Sequence, residues 1–344
     1  MAKLPPPQND IVTAIYDYHK SSQKEEHRPH LGGSLIGDEC SRKLFYTFRW
    51  CNAPKFDGRM LRLFETGFLE EDRFIKELRA IGCQVWEVDP DTGQQIRIED
   101  CGGHFSGSLD GIVMNLIGAP RTAHVLEMKT HNAKSFVELQ MSGVEKAKPQ
   151  HYAQMQVYGY KMKLTRALYL AKNKNDDEVY AERLHIIPEV GKLLIEKASR
   201  IIFTDTPPAK ISEDAAFYKC KFCDHSALCH GAKPPETNCR TCAFSTAKVN
   251  GGWRCEHRNK DISTQEQREG CDKHLFNPAI MPIKARVFDP TVHVMEYENG
   301  LQNGARGISK AIPSKELSTL DNINIANDKD MVEMMSKFDG KFIE

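Results

Sequence analysis

Acidic side chains grouped around a lysine are the chemistry this chain offers most plainly. The stretch His104–Thr130, HFSGSLDGIVMNLIGAPRTAHVLEMKT, reads as two strands joined by a turn around Gly118-Ala119-Pro120. In the second strand Val125, Glu127 and Lys129 fall on one face, and Leu126 and Met128 on the other. Glu127 and Lys129 therefore project together. Asp110 ends the first, Gly/Ser-rich strand, where Gly107 and Gly111 leave room for something to approach. Phosphodiester cleavage needs a nucleophilic water and a stabilised pentacovalent phosphate. Oxygen-ligated Mg²⁺ or Mn²⁺ supplies both. Two or three carboxylates bind such ions, and an ammonium orients or deprotonates the water. Taken alone, Glu-x-Lys is common, and a surface hairpin with scattered charges is the competing reading.

A third acid lies upstream. Residues 58–81, GRMLRLFETGFLEEDRFIKELRAI, form the best helix in the chain, with Phe64, Gly67, Phe68, Glu71, Ile75 and Leu78 on one apolar face. Glu71 sits on that face, and Glu70 points elsewhere, to solvent. A buried carboxylate costs several kcal/mol, roughly, unless it is partnered. Its partner is a bound ion, or a lysine or arginine. Downstream, Gln154 and Tyr158 stand one turn apart in the helix HYAQMQVYGYKM. They offer an amide and a phenol to a phosphate or to flanking bases, or form an ordinary packing face.

The elements that must position these groups follow in order. A short helix covers 9–20, and SSQKEEHRPH is a solvated linker. Ser34 or Asp38 caps a helix that turns Leu44, Phe45 and Phe48 inward. Strands are expected at 83–88, 95–100, 103–116 and 124–130. A loop containing Gly143 and Pro149 leads to the Gln154 helix. RALYLAKNK and EVYAERLHI are two more strands, and a last helix covers 189–203. That order describes an α/β (α+β) fold, a mixed sheet flanked by helices. The expected division is an N-terminal helix and linker over 1–30, a main domain over 31–232, a cysteine-rich module over 233–276, and a tail or small docking element over 277–344, helix-like at 328–338.

With 344 residues, 40% hydrophobic and 27% charged, the chain has the composition of a soluble globular protein. No apolar run approaches a membrane span, and MAKLPPPQND has no secretory h-region, so a cytoplasmic protein is expected. Zero net charge excludes a wholly basic nucleic-acid coat but not an enzyme with a local basic rim. Arg42, Lys43, Arg73, Arg79, Lys146 and Lys148 are candidates for that rim.

Seven of the eleven cysteines lie between 220 and 271, which points to metal or cluster ligation. Cys220, Cys223 and Cys229 lack a local fourth ligand. His225 or His230 would suit zinc, and Cys40 would suit a [4Fe–4S] cluster. Cys239, Cys242, Cys255 and Cys271 form a zinc-knuckle-like pattern, with His257 and His274 competing as fourth ligand and a second iron–sulfur cluster as a minor option. Trp253 and Arg254 stack on a base or cap the metal-centred core. Cys51, Cys83 and Cys101 show no spacing logic and read as ordinary, mostly buried cysteines.

These motifs, taken in order, resemble the RecB-like branch of the PD-(D/E)XK nuclease superfamily, and within it the CRISPR-associated iron–sulfur exonucleases and their phage relatives. The resemblance covers about 34–232 and rests on SLIGDECSRKLFY, TGFLEEDRF, GSLDGIV, LEMKT, QMQVY and KCKFCDHSALC. It implies a restriction-endonuclease-like fold with a C-terminal cysteine-rich metal-binding appendage. It implies a [4Fe–4S] cluster on Cys40, Cys220, Cys223 and Cys229. It also implies Mg²⁺ or Mn²⁺ on Asp110, Glu127 and the Met128 carbonyl, with Lys129 at the attacking water. Many relatives have His where this chain has Glu71, a residue that can also ligate a metal. The expected activity is exonucleolytic hydrolysis of single-stranded DNA or DNA ends in phage-type recombination, repair or DNA processing, alongside recombination or replication proteins. The alternatives are a non-catalytic DNA-binding or assembly factor on a nuclease fold, and a structure-specific endonuclease.

Overall fold

The structure is a computed structural model. It describes residues 10–22, 27–53, 56–308, 310–328, 331, 333, 337, 341 and 342. The chain forms two compact units, each assembled from three segments. The first comprises Met1–His27, Pro54–Ile98 and Gly107–Leu194, and the second Arg28–Ala53, Glu99–Ser106 and Ile195–Glu344. No helix among the described residues is long and apolar enough to cross a membrane.

The first unit contains α1 (Asp10–Ser22), α2 (Gly58–Ala80), β1 (Gln84–Trp86), β2 (Gly111–Met114), β3 (His124–His131), α3 (Ala133–Ala147), α4 (Pro149–Met162), β4 (Arg166–Asn173) and β5 (Val179–His185). The strands form one sheet in the order β1-β2-β3-β4-β5. Every neighbouring pair is antiparallel except β3–β4. A parallel pair needs a crossover, and α3 and α4 supply it. The expected mixed sheet flanked by helices is what forms. Residues 167–171 of β4, Ala-Leu-Tyr-Leu-Ala, are all buried, the continuous apolar run of a strand covered on both faces.

One face of the sheet packs on α2. Phe74, Ile75 and Leu78 meet Val85, Val113, Leu126, Met128, Leu168 and Leu170. Asp57 starts α2 by accepting the Met60 N–H at 2.7 Å. The apolar stripe read from the sequence runs further than the core does: Phe64 and Phe68 are exposed. Glu70 also corrects the sequence reading, because it is buried. It accepts from Lys172 Nζ at 2.8 Å and lies 3.7 Å from Arg73.

Two further expectations change. Residues 103–116 are not one strand: Phe105–Ser108 and Gly111–Met114 are separate, with Leu109 and Asp110 between them. The loop expected before Pro149 is instead helix α3. Asn132 caps it by accepting the Ser135 N–H at 2.9 Å, and Phe136 and Leu139 are its buried residues before the break at Gly143, where φ is 70°. Gly143 made the segment read as a loop. The break frees the Val144 N–H, which donates to Glu182 at 2.8 Å.

In the second unit Leu31–Gly32 pairs in parallel with Phe105 and Ser106, beside the helix Ser41–Phe48. Strands Ser245–Ala247, Trp253–Cys255 and Lys260–Ile262 make an antiparallel sheet. A second antiparallel sheet joins Ala285–Asp289, Val294–Tyr297 and Gln302–Asn303. Expected as a polar tail or docking element, the segment after Asn277 thus has a core, in which Met281, Met295, Tyr297, Ile312, Leu317 and Ile323 pack with Phe276. Those residues come from short strands, turns and single helical turns, which leave no period to read. Most of the helix-like stretch 328–338 falls outside the described residues.

The crossover helix packs tightly on the sheet edge. A Cβ at Gly159 would lie 2.4 Å from Ile186 Cγ1. Gly159→Ala should therefore cost about 1–3 kcal/mol through overpacking. Urea unfolding of the two proteins checks this, and equal midpoints would contradict it.

Candidate active site

The acids and lysine singled out above converge in the first unit. Asp110 lies just before β2, beside the β2–β3 pairing in which Gly111 faces Leu126. Its Oδ2 accepts the Met128 N–H at 2.7 Å, so the carboxylate is fastened to the middle of β3. Glu127, on the face of β3 turned away from the α2 core, has no solvent exposure. Its Oε2 accepts from Gln154 Nε2 on α4 at 2.8 Å, and the Lys129 ammonium contacts Oε1. Lys129 Nζ also donates to the Met128 carbonyl at 3.0 Å and lies 3.6 Å from Asp110 Oδ2. Burial would lower the lysine's pKa, but Glu127, Asp110 and Glu71 outweigh it and hold the ammonium firmly protonated.

Glu71 is half-buried on α2, within electrostatic reach of Asp110, Lys129 and Glu127. Burial, then the charge of Asp110, pushes its carboxyl up to about 7. Glu127 is pushed up to about 8, first by burial; Lys129 pulls it down, and Asp110 and Glu71 push it further up. Negative charge is crowded here, and one ammonium does not fully relieve it.

Gln154 and Tyr158 share a face, as expected, but both face inward. Gln154 holds Glu127. Tyr158 is buried, and a Cβ at Gly107 would lie 2.4 Å from its hydroxyl, so a bare glycine makes room for the ring. Desolvation raises the phenol's pKa, and Glu127 and Asp110 raise it further. The basic rim is mostly engaged in pairing. Arg73 binds Glu77 and Asp177, Arg79 binds Glu87, and Lys148 binds Glu138. Arg42 donates to the Pro208 carbonyl and Lys43 to Asp38, while Lys146 is exposed.

A neighbouring cluster went unnoticed in the sequence. The Tyr169 hydroxyl, opposite Glu127 in the β3–β4 register, lies 2.8 Å from both His131 Nε2 and His151 Nδ1. Ser135 Oγ reaches His131 Nδ1 at 3.2 Å. His131 extends the Glu127, Lys129 alternation by one step, a usable signal; Tyr169 and His151 carried none.

In the second unit Cys40 precedes the helix Ser41–Phe48, Cys220 lies in Tyr218–Lys221 and Cys229 ends Ser226–Cys229. The charge of Cys40 is felt by Cys223 and by Cys229, so the distant Cys40 is brought near this local pair. His225 Nε2 is 3.1 Å from Thr47 Oγ1. Cys239, Cys242, Cys255 and Cys271 also act on one another: Cys239 is pushed up to about 12 by burial, then by the other three. His274 is buried and hydrogen-bonded to Asn238 and Thr241, and the His257 ring lies against Phe244 and His293. Trp253 is buried against Phe48 and His104, which rules it out as an exposed base platform. Cys51 and Cys83 are buried as expected; Cys101 is half-buried. All eleven cysteines are free thiols, and among the described residues no three His, Cys, Asp or Glu side chains stand in a metal-ligating arrangement.

Set against known proteins, no family profile and no curated protein matches this chain. Among solved structures it is similar to the crystal structure of SSO0001, with 14% identity and a TM-score of 0.37 over 64% of this chain and 95% of that one. It is also similar to an alkaline exonuclease (LHK-Exo) from Laribacter hongkongensis, with 17% identity and a TM-score of 0.38 over 51% of this chain and 87% of that one. For LHK-Exo in complex with dAMP the identity is 14% and the TM-score 0.34, over 55% and 90%.

The histidine pair has a consequence for acid stability. Burial, then nearby lysines, lowers His131 to about 4 and, with help from His131 itself, His151 to about 3. Their unfolded pKa is about 6.5, so below that pH the unfolded chain binds protons the folded chain refuses. Stability present at neutral pH should therefore drop as pH falls from about 6.5 towards 4. Urea midpoints across that range, for wild type and His151→Gln, check this; the variant should show a shallower slope.

Proposed function

We propose that the protein is a metal-dependent DNA exonuclease of the RecB-like, iron–sulfur-containing kind, acting on single strands or duplex ends. The observation that carries this is the joining of Asp110, Glu127 and Lys129 through the Met128 peptide, with Glu71 close by. The raised carboxyls of Glu71 and Glu127 mark a site short of positive charge, which suits a divalent cation. Asp110, Glu127, Glu71 and the Met128 carbonyl would hold Mg²⁺ or Mn²⁺. Such an ion supplies Lewis-acid stabilisation of the phosphate and a more acidic water.

The chain's own residues do the rest. Lys129, whose ammonium is favoured by the acids around it, positions the attacking water and offsets charge developing on the phosphate. Gln154 keeps Glu127 aimed by occupying its second oxygen. Asp110 spans β2 and β3 and fixes the spacing between the acids. Tyr158, packed on Gly107, supports the strand that leads to Asp110.

For the second unit we place a [4Fe–4S] cluster on Cys40, Cys220, Cys223 and Cys229 and a structural Zn²⁺ on Cys239, Cys242, Cys255 and Cys271. Spacing supports both placements, as does the electrostatic proximity of Cys40 to Cys223 and Cys229 and of Cys239 to its three partners.

Asp110→Ala and Lys129→Ala should each reduce Mn²⁺-dependent degradation of end-labelled DNA about 10²-fold or more while leaving the fold intact. Full activity in both variants would sink the assignment. Degradation of circular single-stranded DNA would replace the exonuclease with an endonuclease, and DNA binding without cleavage in either metal would replace it with a platform protein. The purified protein should be brown, absorb near ~400 nm and hold about four irons, and Cys220→Ser should remove the colour. Colourless protein with two zincs would reassign both cysteine sites to Zn²⁺.

A further inference from the structure

The sheet face opposite Glu127 and Lys129 ends in a basic cavity. His124 opens β3, and Arg166 opens the parallel strand β4 beside it, since the register pairs Val125 with Ala167. On β5, His185 is the partner of Arg166, and Arg183 is the partner of Leu168. Strand alternation puts these four side chains on the face of Leu126, Met128 and Leu168, away from Glu127 and Lys129. With Thr122 and Gly118 they line a cavity of about 420 Å³.

The cavity is short of negative charge. His124 is buried and donates its Nδ1–H to the Thr122 carbonyl at 2.9 Å. Arg166 Nη1 donates to the Thr165 carbonyl at 2.9 Å, and Arg183 is exposed. Among the described residues neither guanidinium has a carboxylate at ion-pair distance, and the cavity lining contains no acid. Elsewhere in this unit Arg73 and Arg79 both meet carboxylates. Two solvated arginines at a sheet end are the plain alternative. Against it, both guanidinia act on the same buried imidazole of His124, so they converge on one concave space.

We propose that this cavity binds phosphate, through Arg166 and Arg183 as charged forks with Thr122 and the Gly118 backbone beside them. Guanidinium groups match phosphate oxygens two at a time. The volume lies within the ~300–1,000 Å³ of small-ligand sites, large enough for a nucleotide. A phosphate of this kind comes from a nucleic-acid strand or from a free nucleotide. The inference does not depend on the nuclease reading, because the cavity lies at the His124 end of β3, on the face away from Glu127 and Lys129.

The test uses the full chain in chelator, so that cleavage plays no part. Binding of an end-labelled single strand is read by anisotropy, and binding of inorganic pyrophosphate by calorimetry. The variants are Arg166→Gln/Arg183→Gln, the single Arg183→Gln on an exposed side chain that cannot collapse the core, and Lys76→Gln, an exposed lysine on α2, as reference. If strand phosphate is the ligand, the double variant should lose about tenfold in strand affinity. Its slope of log affinity against log salt should shrink by about 1.4, from about 0.7 per lost phosphate contact. Arg183→Gln should show part of that loss, and Lys76→Gln none. Loss of pyrophosphate binding alone supports the cavity with a free nucleotide as its source. Unchanged binding of both probes in both arginine variants overturns the proposal.

Discussion

A carboxylate with no exposure to water has to be neutralised or held, and Glu127 is such a group. Its position on β3 makes the surrounding structure a set of answers to that requirement. Lys129, two residues along the same strand, contacts one oxygen, and Gln154, from the crossover helix, donates to the other. Lys129 in turn is anchored on the Met128 carbonyl, and the Met128 N–H is taken by Asp110. The backbone of one residue thus ties two acids and an ammonium together. α4 lies across this face because the parallel β3–β4 pairing obliges the chain to cross over there.

Much of that arrangement was legible in the sequence because it sits on a strand with two distinct faces. Alternation alone assigned Glu127 and Lys129 to one side and Leu126 and Met128 to the other, and burial against α2 agrees. Helix faces were harder. Successive helical residues are about 100° apart, so Glu70 and Glu71 were assigned by a stripe that extends past the real core. Phe64 and Phe68 drew that stripe, yet they are exposed, and Glu70 finds Lys172 over a hundred positions away. No local pattern encodes such a partner. Helix α3 was hidden by Gly143, which interrupts it without ending it. Tyr169 reaches His131 and His151 only through strand pairing and the crossover.

The second unit depends on a different constraint: its centre is polar. Arg240 is buried, yet its nearest partners are neutral. It donates to the Phe48 and Pro29 carbonyls and to Gln267, and its guanidinium lies 3.7 Å from the Trp50 ring centroid. Carbonyls and an aromatic face replace a carboxylate there. Arg49 sits beside it, bonded to Thr204, Asp205 and the Arg240 carbonyl. Burial, then the neighbouring arginines, lowers the Arg240 pKa. Directional bonds of this type join short segments of this unit beside its apolar core.

The pairing of Glu127 with Tyr169 and of Lys129 with Ala171 gives strand alignment a second meaning. A slip of one residue along β3 would turn Leu126 and Met128 towards α4 and drive Glu127 and Lys129 into the apolar layer over α2. Misalignment would therefore bury charge as well as expose oil. Glu127 and Lys129 act as proofreaders of the fold: only the alignment that brings them together with Asp110 also lets the sheet keep its core.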